Sequence, residues 1–212
     1  MKKTVTNPLM VYRYPESGHL CRKDVFGDLM EFSRDLAPEE YDFIPPTYNL
    51  PMDAKRFHAY MKAHPGAVYI AKPQAGSKGD EIALFQDLRD LPYGLEGKDI
   101  TVQRYLTKPL TLNNFKFDLR VYVVVTGTNP LQAFLCDEGL ARFCTEKYQA
   151  PVKANFKKTF MHLTNYSQNR NSENFIHAKD MEAVNILKDN NATKRTLSAL
   201  YDTLSQNDID VE

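Results

Sequence analysis

The sequence predicts a mixed α+β fold, and three observations carry that expectation. Along residues 115–126 every odd position is apolar up to Val125: Phe115, Phe117, Leu119, Val121, Val123 and Val125. Alternation with period two marks a half-buried strand. Helical spacing marks two other segments: Asp24 to Leu36, with Val25, Phe26, Leu29, Met30, Phe32 and Leu36, and the stretch holding Leu197, Leu200, Tyr201 and Leu204. Between these lie short apolar runs separated by Gly, Pro, Asn and Asp, the punctuation of strands and hairpins.

The elements follow in order. After the first helix, Phe43-Ile44-Pro45-Pro46-Thr47-Tyr48-Asn49-Leu50-Pro51 reads as an extended, proline-stiffened connector. A second helix starts near Asp53, buries Phe57, Tyr60 and Met61, and stops at His64-Pro65-Gly66. Val68 to Ala71 and Ile82 to Phe85 flank the glycine-containing turn Gln74 to Asp80 and form a hairpin. Ile100 to Leu106 is another strand, and Phe115 to Thr126 is read as one continuous strand. Leu131 to Cys136 and Leu140 to Cys144 flank Asp137-Glu138-Gly139 as a second hairpin. Thr164 to Asn171 is polar loop chemistry.

Composition excludes several classes. Of 212 residues, 27 are basic and 27 acidic, so net charge points to neither a nucleic acid nor a membrane partner. No apolar run approaches ~18 residues, the length of a membrane-spanning helix. Met1-Lys2-Lys3-Thr4 is basic, but no long apolar stretch follows, so it does not read as a signal peptide. Cys21, Cys136 and Cys144 form no C-x-x-C pair and leave an odd count, which reads as reduced thiols.

Period two puts Lys116, Asp118 and Arg120 on the face opposite the apolar one. A lysine, a carboxylate and an arginine on one strand suit a polyphosphate and its metal. Taken alone, this strand reads better as a solvated outer face with cross-strand ion pairs. The tip Lys72-Pro73-Gln74-Ala75-Gly76-Ser77-Lys78-Gly79 offers glycines and lysines to phosphate oxygens but lacks P-loop spacing. By itself it is equally an ordinary surface turn. Arg142 among apolar neighbours either snorkels or meets an anion. His162 is more simply a hydrogen-bonded structural histidine than a base or ligand. Zinc-type His/Cys spacing and a G-x-S-x-G elbow are both absent.

The order of these pieces is more specific than any one of them. Cys21-Arg22-Lys23-Asp24 and Phe43 to Pro51 are followed by Lys72 to Gly79 and by Gln103-Arg104-Tyr105-Leu106-Thr107-Lys108-Pro109-Leu110. Then come Lys116-Phe117-Asp118-Leu119-Arg120-Val121-Tyr122, Glu138-Gly139-Leu140-Ala141-Arg142-Phe143 and His162-Leu163-Thr164-Asn165-Tyr166-Ser167. From about Tyr12 to about Phe175 the chain resembles the tubulin tyrosine ligase-like family. The first and sixth blocks are most similar to the tubulin polyglutamylases.

That resemblance implies an ATP-grasp fold, with residues 1–66 as an N-terminal and linker region and 67–212 as central and C-terminal lobes. It implies ATP and Mg2+ as cofactors, free L-glutamate as the amino acid, and the acidic C-terminal tails of tubulin or microtubules as partner. The implied location is cytoplasmic and cytoskeletal, including cilium, flagellum or basal body. A substrate carboxylate would attack the γ-phosphate of ATP, and the acyl-phosphate would then react with the amine of the amino acid. Lys72 resembles the lysine that reaches the phosphates, and Gly76 and Gly79 belong to the phosphate loop. Gln103, Arg104, Tyr105 and Leu106 resemble the hinge that reads adenine. Lys116 and Asp118 resemble further pocket residues, and Thr164 and Asn165 the ribose and phosphate loop. Arg142 resembles the arginine that binds the incoming amino acid, Arg120 is expected to help neutralise the acyl-phosphate, and Tyr166 and Arg170 lie where further amino-acid contacts are made.

Two departures qualify the match. Gly79-Asp80-Glu81-Ile82 carries Glu81 where the family has glycine, with Lys78 expected to offset part of its charge. The family's main Mg2+ ligands, an Asp and a later Glu-x-Asn, have no counterpart in these residues, and Asp208 and Asp210 do not match their context. On this reading the fold is incomplete and the final metal-binding strands are absent. The chain is expected to be a fragment, a truncated gene model or a degenerate relative, inactive as given. The competing reading is a non-catalytic tubulin- or nucleotide-binding remnant.

Overall fold

The computed structural model describes Tyr14 and residues 17–75, 79, 81–92, 95, 97–178 and 191–206. Helices and strands are mixed through them, in agreement with an α+β fold. The first sheet is antiparallel and runs β1-β4-β2-β3: β1 is Thr47–Leu50, β2 Tyr69–Pro73, β3 Ala83–Phe85 and β4 Ile100–Arg104. The segment expected as a connector thus supplies a strand. Pro45 and Pro46 precede the ladder, so the N–H groups they lack are not needed in it. β1 lies before residue 66 and β4 after it, so the sheet draws on both sides of that expected boundary.

One face of this sheet carries Tyr48, Tyr69, Ala71, Phe85, Ile100 and Val102. It is covered by α2 (Ala54–Ala63), whose Phe57 is fully buried and meets Tyr69 edge-on at 5.0 Å between ring centroids. Phe57, Tyr60 and Met61 line one side of a helix because residues three and four apart are neighbours there. Truncating a buried phenylalanine to alanine costs about 3–5 kcal/mol. His64 ends the helix, its N–H bonding Tyr60 O at 3.1 Å.

The opposite face presents Thr47, Asn49, Lys72, Thr101 and Gln103, which follows from the register Thr47↔Gln103, Asn49↔Thr101 and Lys72↔Thr101. Helix α1 (Lys23–Leu36) lies over its β1 edge. Asn49 Nδ2 donates to Asp24 O at 3.0 Å and to Asp28 Oδ1 at 2.7 Å. Gly27 makes the approach possible, since a Cβ there would stand 2.7 Å from Thr47 Cγ2.

The second sheet runs β10-β9-β6-β5, with β5 at Thr111–Leu112, β6 at Phe115–Arg120, β9 at Leu140–Phe143 and β10 at Lys194–Thr196. Helix α5 (Leu197–Gln206) lays Leu200 and Leu204 on Leu112, Ala141 and Phe143, with Phe115 and Phe117 packed alongside. The amphipathic reading of that helix is correct. Glu138 holds its start: Leu197 N–H donates to Glu138 Oε1 at 2.8 Å and Ser198 Oγ to Oε2 at 2.7 Å. A carboxylate at a helix N-terminus satisfies orphan donors and favours the dipole.

Two expectations for the middle of the chain are corrected. Residues 115–126 are not one strand. β6 ends at Arg120, and β7 (Val123–Thr128) begins a separate two-stranded unit with β8 (Leu131–Leu135). The hairpin is therefore β7–β8, turning at Asn129-Pro130, and not a pairing of β8 with the strand after Asp137-Glu138-Gly139. β9 returns to β6 instead, with Asp118 opposite Arg142 and Arg120 opposite Leu140. Period-two alternation continues across the break, so it could not mark where one partner gives way to another. Gly139 permits the return, because a side chain there would collide with the Arg120 carbonyl.

All three cysteines are free thiols. Among the described residues no helix is long and apolar enough to cross a membrane.

Candidate functional site

Three lysines, Lys72 from β2, Lys116 from β6 and Lys23 from α1, lie close enough for the charges of the last two to act on Lys72. Lys72 projects from β2 on the polar face, and its Nζ donates to Gln103 Oε1 at 2.6 Å, while Gln103 Nε2 donates to Thr47 Oγ1 at 2.9 Å. Burial pushes the Lys72 ammonium down to about 8, and the charges of Lys23 and Lys116 push the same way. Lys116 projects from β6 as the alternation required. Its Nζ donates to Tyr105 OH and to His162 O, both at 2.9 Å, and burial lowers its pKa as well. Lys23, at the start of α1, donates to Pro73 O at 2.9 Å.

His162 is structural, as the simpler reading had it. It lies in the short helix α3 (Thr159–His162) and is 2% exposed. Nε2 faces Asn155 Oδ1 at 3.2 Å and Nδ1 faces Tyr105 OH at 3.2 Å. Asn155 Oδ1 can only accept, so Nε2 carries the proton and Nδ1 accepts from Tyr105, which in turn accepts from Lys116. This chain of bonds fixes both Tyr105 and the Lys116 ammonium.

The phosphate-loop candidates meet the later loop. Gly79 has φ +88, and a Cβ there would lie 2.9 Å from Asn165 Cγ, so bare backbone rests on Asn165. Asn165 is held from below by α4 (Tyr166–Asn169), a single helical turn within the segment expected as loop. Buried Asn169 ties this turn down: its Oδ1 accepts from Thr145 N at 3.0 Å, and its Nδ2 donates to Leu163 O at 2.6 Å. Gly76 and Lys78 lie outside the described residues. Glu81 has φ +55, the left-handed region that favours glycine, and its carboxylate is paired with Lys98 at 2.9 Å.

Across the second sheet Asp118, Arg142 and Lys194 stand in one cross-strand row. Asp118 accepts a forked pair from Arg142, Nε to Oδ1 at 2.8 Å and Nη2 to Oδ2 at 2.5 Å. The anion that Arg142 meets in this state is thus Asp118. Lys194 Nζ sits 5.2 Å from the Tyr166 ring centroid. Tyr166 is thus at this end of the site and exposed, and Arg170, also exposed, follows at the C-terminal end of α4. Arg120 is exposed at the end of β6. Arg104 points to the other side of its sheet, toward Tyr60 OH at 3.5 Å, so among 103–106 only Gln103 and Tyr105 direct side chains inward. Leu106 is exposed. A cavity of about 890 Å3 opens on the Phe115 and Phe143 side of the second sheet and is lined by none of these lysines.

A cluster of ammonium groups, two of them held below the ordinary lysine range, gains from a bound anion. Gly79 is required where its backbone packs on Asn165, since a side chain there would collide with it. These residues fit a polyphosphate. Among the described residues no group of three or more His, Cys, Asp or Glu comes together to hold a metal ion. The sequence had pointed to Lys72, Lys116, Asp118 and Arg142 but not to Lys23, Lys98 or Lys194. Lys23 reaches Pro73 O from α1, Lys194 stands opposite Arg142 by strand pairing, and Lys98 pairs with Glu81 from the bend before β4.

The Tubulin-tyrosine ligase family model matches residues 4–210. Tubulin polyglutamylase ttll6 of Danio rerio is 39% identical over 170 residues, covering 80% of this chain and 22% of that protein. Tubulin polyglutamylase TTLL11 of Homo sapiens is 35% identical over 210 residues, 95% of this chain and 28% of that protein. Tubulin polyglutamylase TTLL7 of Xenopus tropicalis is 35% identical over 206 residues, 95% of this chain and 21% of that protein. The chain therefore spans less than a third of the length of these relatives.

Proposed function

This chain belongs to the tubulin-tyrosine ligase family, and on that footing we propose that it forms the nucleotide- and amino-acid-binding part of an ATP-dependent tubulin glutamylase with an ATP-grasp site. The observation that carries the reading is the half-buried Lys72 and Lys116, each held by hydrogen bonds and lowered in pKa by desolvation, together with the Gly79 backbone packed on Asn165. ATP, bound with Mg2+, would supply the phosphoryl group that activates a carboxylate of an acidic tubulin tail. Lys72 and Lys116 hold the polyphosphate, Gly79 lends it backbone, and the 103–106 backbone faces the base. Arg142 and Lys194, side by side across β9 and β10, take the carboxylates of free glutamate, with Tyr166 and Arg170 at the rim. Arg120 stands at the end of β6 to neutralise charge on the activated carboxyl. Most of the acceleration on this reading comes from positioning and charge neutralisation, since phosphoryl and acyl transfer ask little covalent chemistry of a protein.

Titration with a fluorescent ATP analogue tests the nucleotide half. Lys72→Ala should abolish saturable binding at micromolar concentrations, and binding equal to wild type would overturn the assignment. Transfer of labelled glutamate to microtubules by the protein carrying these residues tests the other half. Labelled tyrosine or glycine taken up in place of glutamate would overturn the choice of amino acid.

A further inference from the structure

Thr47, on the first strand, is 2% exposed and its side chain is held on both branches. Its Cγ2 packs over Gly27 of α1, where an added Cβ would stand 2.7 Å away. Its Oγ1 donates to Pro45 O at 3.0 Å. A β-branched side chain has few χ1 wells, and these two contacts select one. A hydroxyl carries a single hydrogen, so with that hydrogen on Pro45 O the oxygen can only accept.

The Gln103 amide is thereby oriented. The atom that faces Thr47 Oγ1 at 2.9 Å has to be the donor Nε2, which turns Oε1 the other way. β4 lies between β1 and β2, with Thr47 directly opposite Gln103 on one side. On the other side Lys72 is opposite Thr101, two residues along the same face from Gln103. Diagonal neighbours at that spacing are within reach of long side chains. Oε1 accordingly meets Lys72 Nζ at 2.6 Å. An ammonium can only donate, so a reversed amide would set N–H against N–H at Lys72. Both ends of the amide agree on one orientation.

We propose that Thr47 is a positioning residue: by fixing which way the Gln103 amide points, it holds the Lys72 ammonium in place for the anion it binds. That the anion is ATP rests on the nucleotide reading above; the link from Thr47 to Lys72 does not. The charges acting on Lys72 are Lys23 from α1 and Lys116 from β6, and both disfavour its charged form. The bond accepted by Gln103 Oε1 favours that form against them. Glu31 of α1 accepts from the Thr47 backbone N–H, which substitution of the side chain leaves in place.

Thr47→Val keeps the shape and the contact with Gly27 but has no hydroxyl, whereas Thr47→Ser keeps the hydroxyl. Two quantities are measured in each: the titration midpoint of Lys72 by side-chain 15N NMR, its signal assigned by its loss in Lys72→Arg, and the affinity for a fluorescent ATP analogue against pH. In Thr47→Val the Lys72 midpoint should fall below that of wild type. Affinity at neutral pH should weaken by about tenfold, the scale of a lost charged hydrogen bond, and its alkaline loss should move to lower pH. Thr47→Ser should restore the wild-type midpoint and keep affinity within about threefold. Gln103→Leu, which deletes the acceptor itself, should lower the midpoint too, and adding Thr47→Val to it should lower it no further. Further lowering in the double variant would show that Thr47 acts on Lys72 by another route and overturn the proposal. So would an unmoved midpoint with affinity lost equally at every pH, which would make Thr47 a packing residue, or a Thr47→Ser variant as impaired as Thr47→Val. A wild-type protein that binds no ATP analogue while the midpoint still falls in Thr47→Val would overturn the nucleotide reading and leave the link from Thr47 to Lys72 standing.

Discussion

Asp118 grips Arg142 with both carboxylate oxygens, from directly opposite on the neighbouring strand. The same arginine is the proposed seat of the amino-acid carboxylate, so Asp118 both aims it and competes for it. The pair is partly exposed, 21% and 37% at the side chains, so its contribution to stability is small, about 0–1 kcal/mol. Arg142→Ala should therefore leave the urea midpoint nearly unchanged. It should raise the glutamate requirement by about 1.5–3 kcal/mol while ATP affinity stays within about threefold. A parallel loss of ATP affinity would show that Arg142 serves the fold of the nucleotide site instead.

Glu81 occupies a backbone conformation suited to glycine, at φ +55, and its carboxylate is tied to Lys98. Holding an L-residue there costs about 1 kcal/mol. The exposed ion pair returns only part of that. Glu81→Gly should raise stability by about 0.5–1 kcal/mol in urea unfolding and strengthen nucleotide binding by relaxing the loop. Glu81→Gln should leave nucleotide affinity within about twofold, because Lys98 already screens the charge. A large gain from Glu81→Gln would mean that the carboxylate does reach the phosphates.

Desolvation, with the charges of Lys23 and Lys116, pushes Lys72 down from its ordinary 10.5 to about 8. Below pH 8 it is charged and attracts phosphate; above, it is neutral. ATP affinity should fall as pH rises through about 8, and Lys72→Arg should flatten that fall. Stability moves the other way. Between about 8 and 10.5 the unfolded chain holds a proton that the native state lacks, so this residue favours folding more as pH rises. A pH-independent affinity from 6.5 to 9.5 would contradict a half-buried lysine at the phosphates.

His162 is held down to about 4 by burial, with Lys116 acting in the same direction. From pH 6.5 down to 4 the unfolded chain takes up a proton that the native imidazole refuses. Stability is therefore lost as pH falls through that window, on the order of 3 kcal/mol in full. Urea midpoints at pH 7 and pH 5 should differ more for wild type than for His162→Gln, which cannot titrate. Equal differences would assign the acid sensitivity to other groups.

What the chain's own order of residues determined was local. Alternation put Lys116 and Asp118 opposite Phe115 and Phe117, because side chains on a strand must point to alternate faces. Helical spacing marked Phe57 and Leu200 for burial, and Gly79 announced a position where backbone had to lie bare. Tertiary structure alone decided which strands pair. Nothing near Arg142 in sequence selects Asp118 as its partner, since β9 could have turned back on β8, and the alternation of 121–126 fits either arrangement. The same holds for Lys23, Lys98 and Lys194. Lys23 is brought in by a packed helix, Lys194 by a distant strand and Lys98 by its ion pair with Glu81 from the bend before β4, so each depends on contacts between residues apart in the chain. Those contacts are chosen by the fit of whole surfaces, such as Gly27 against Thr47, and no local period encodes that fit.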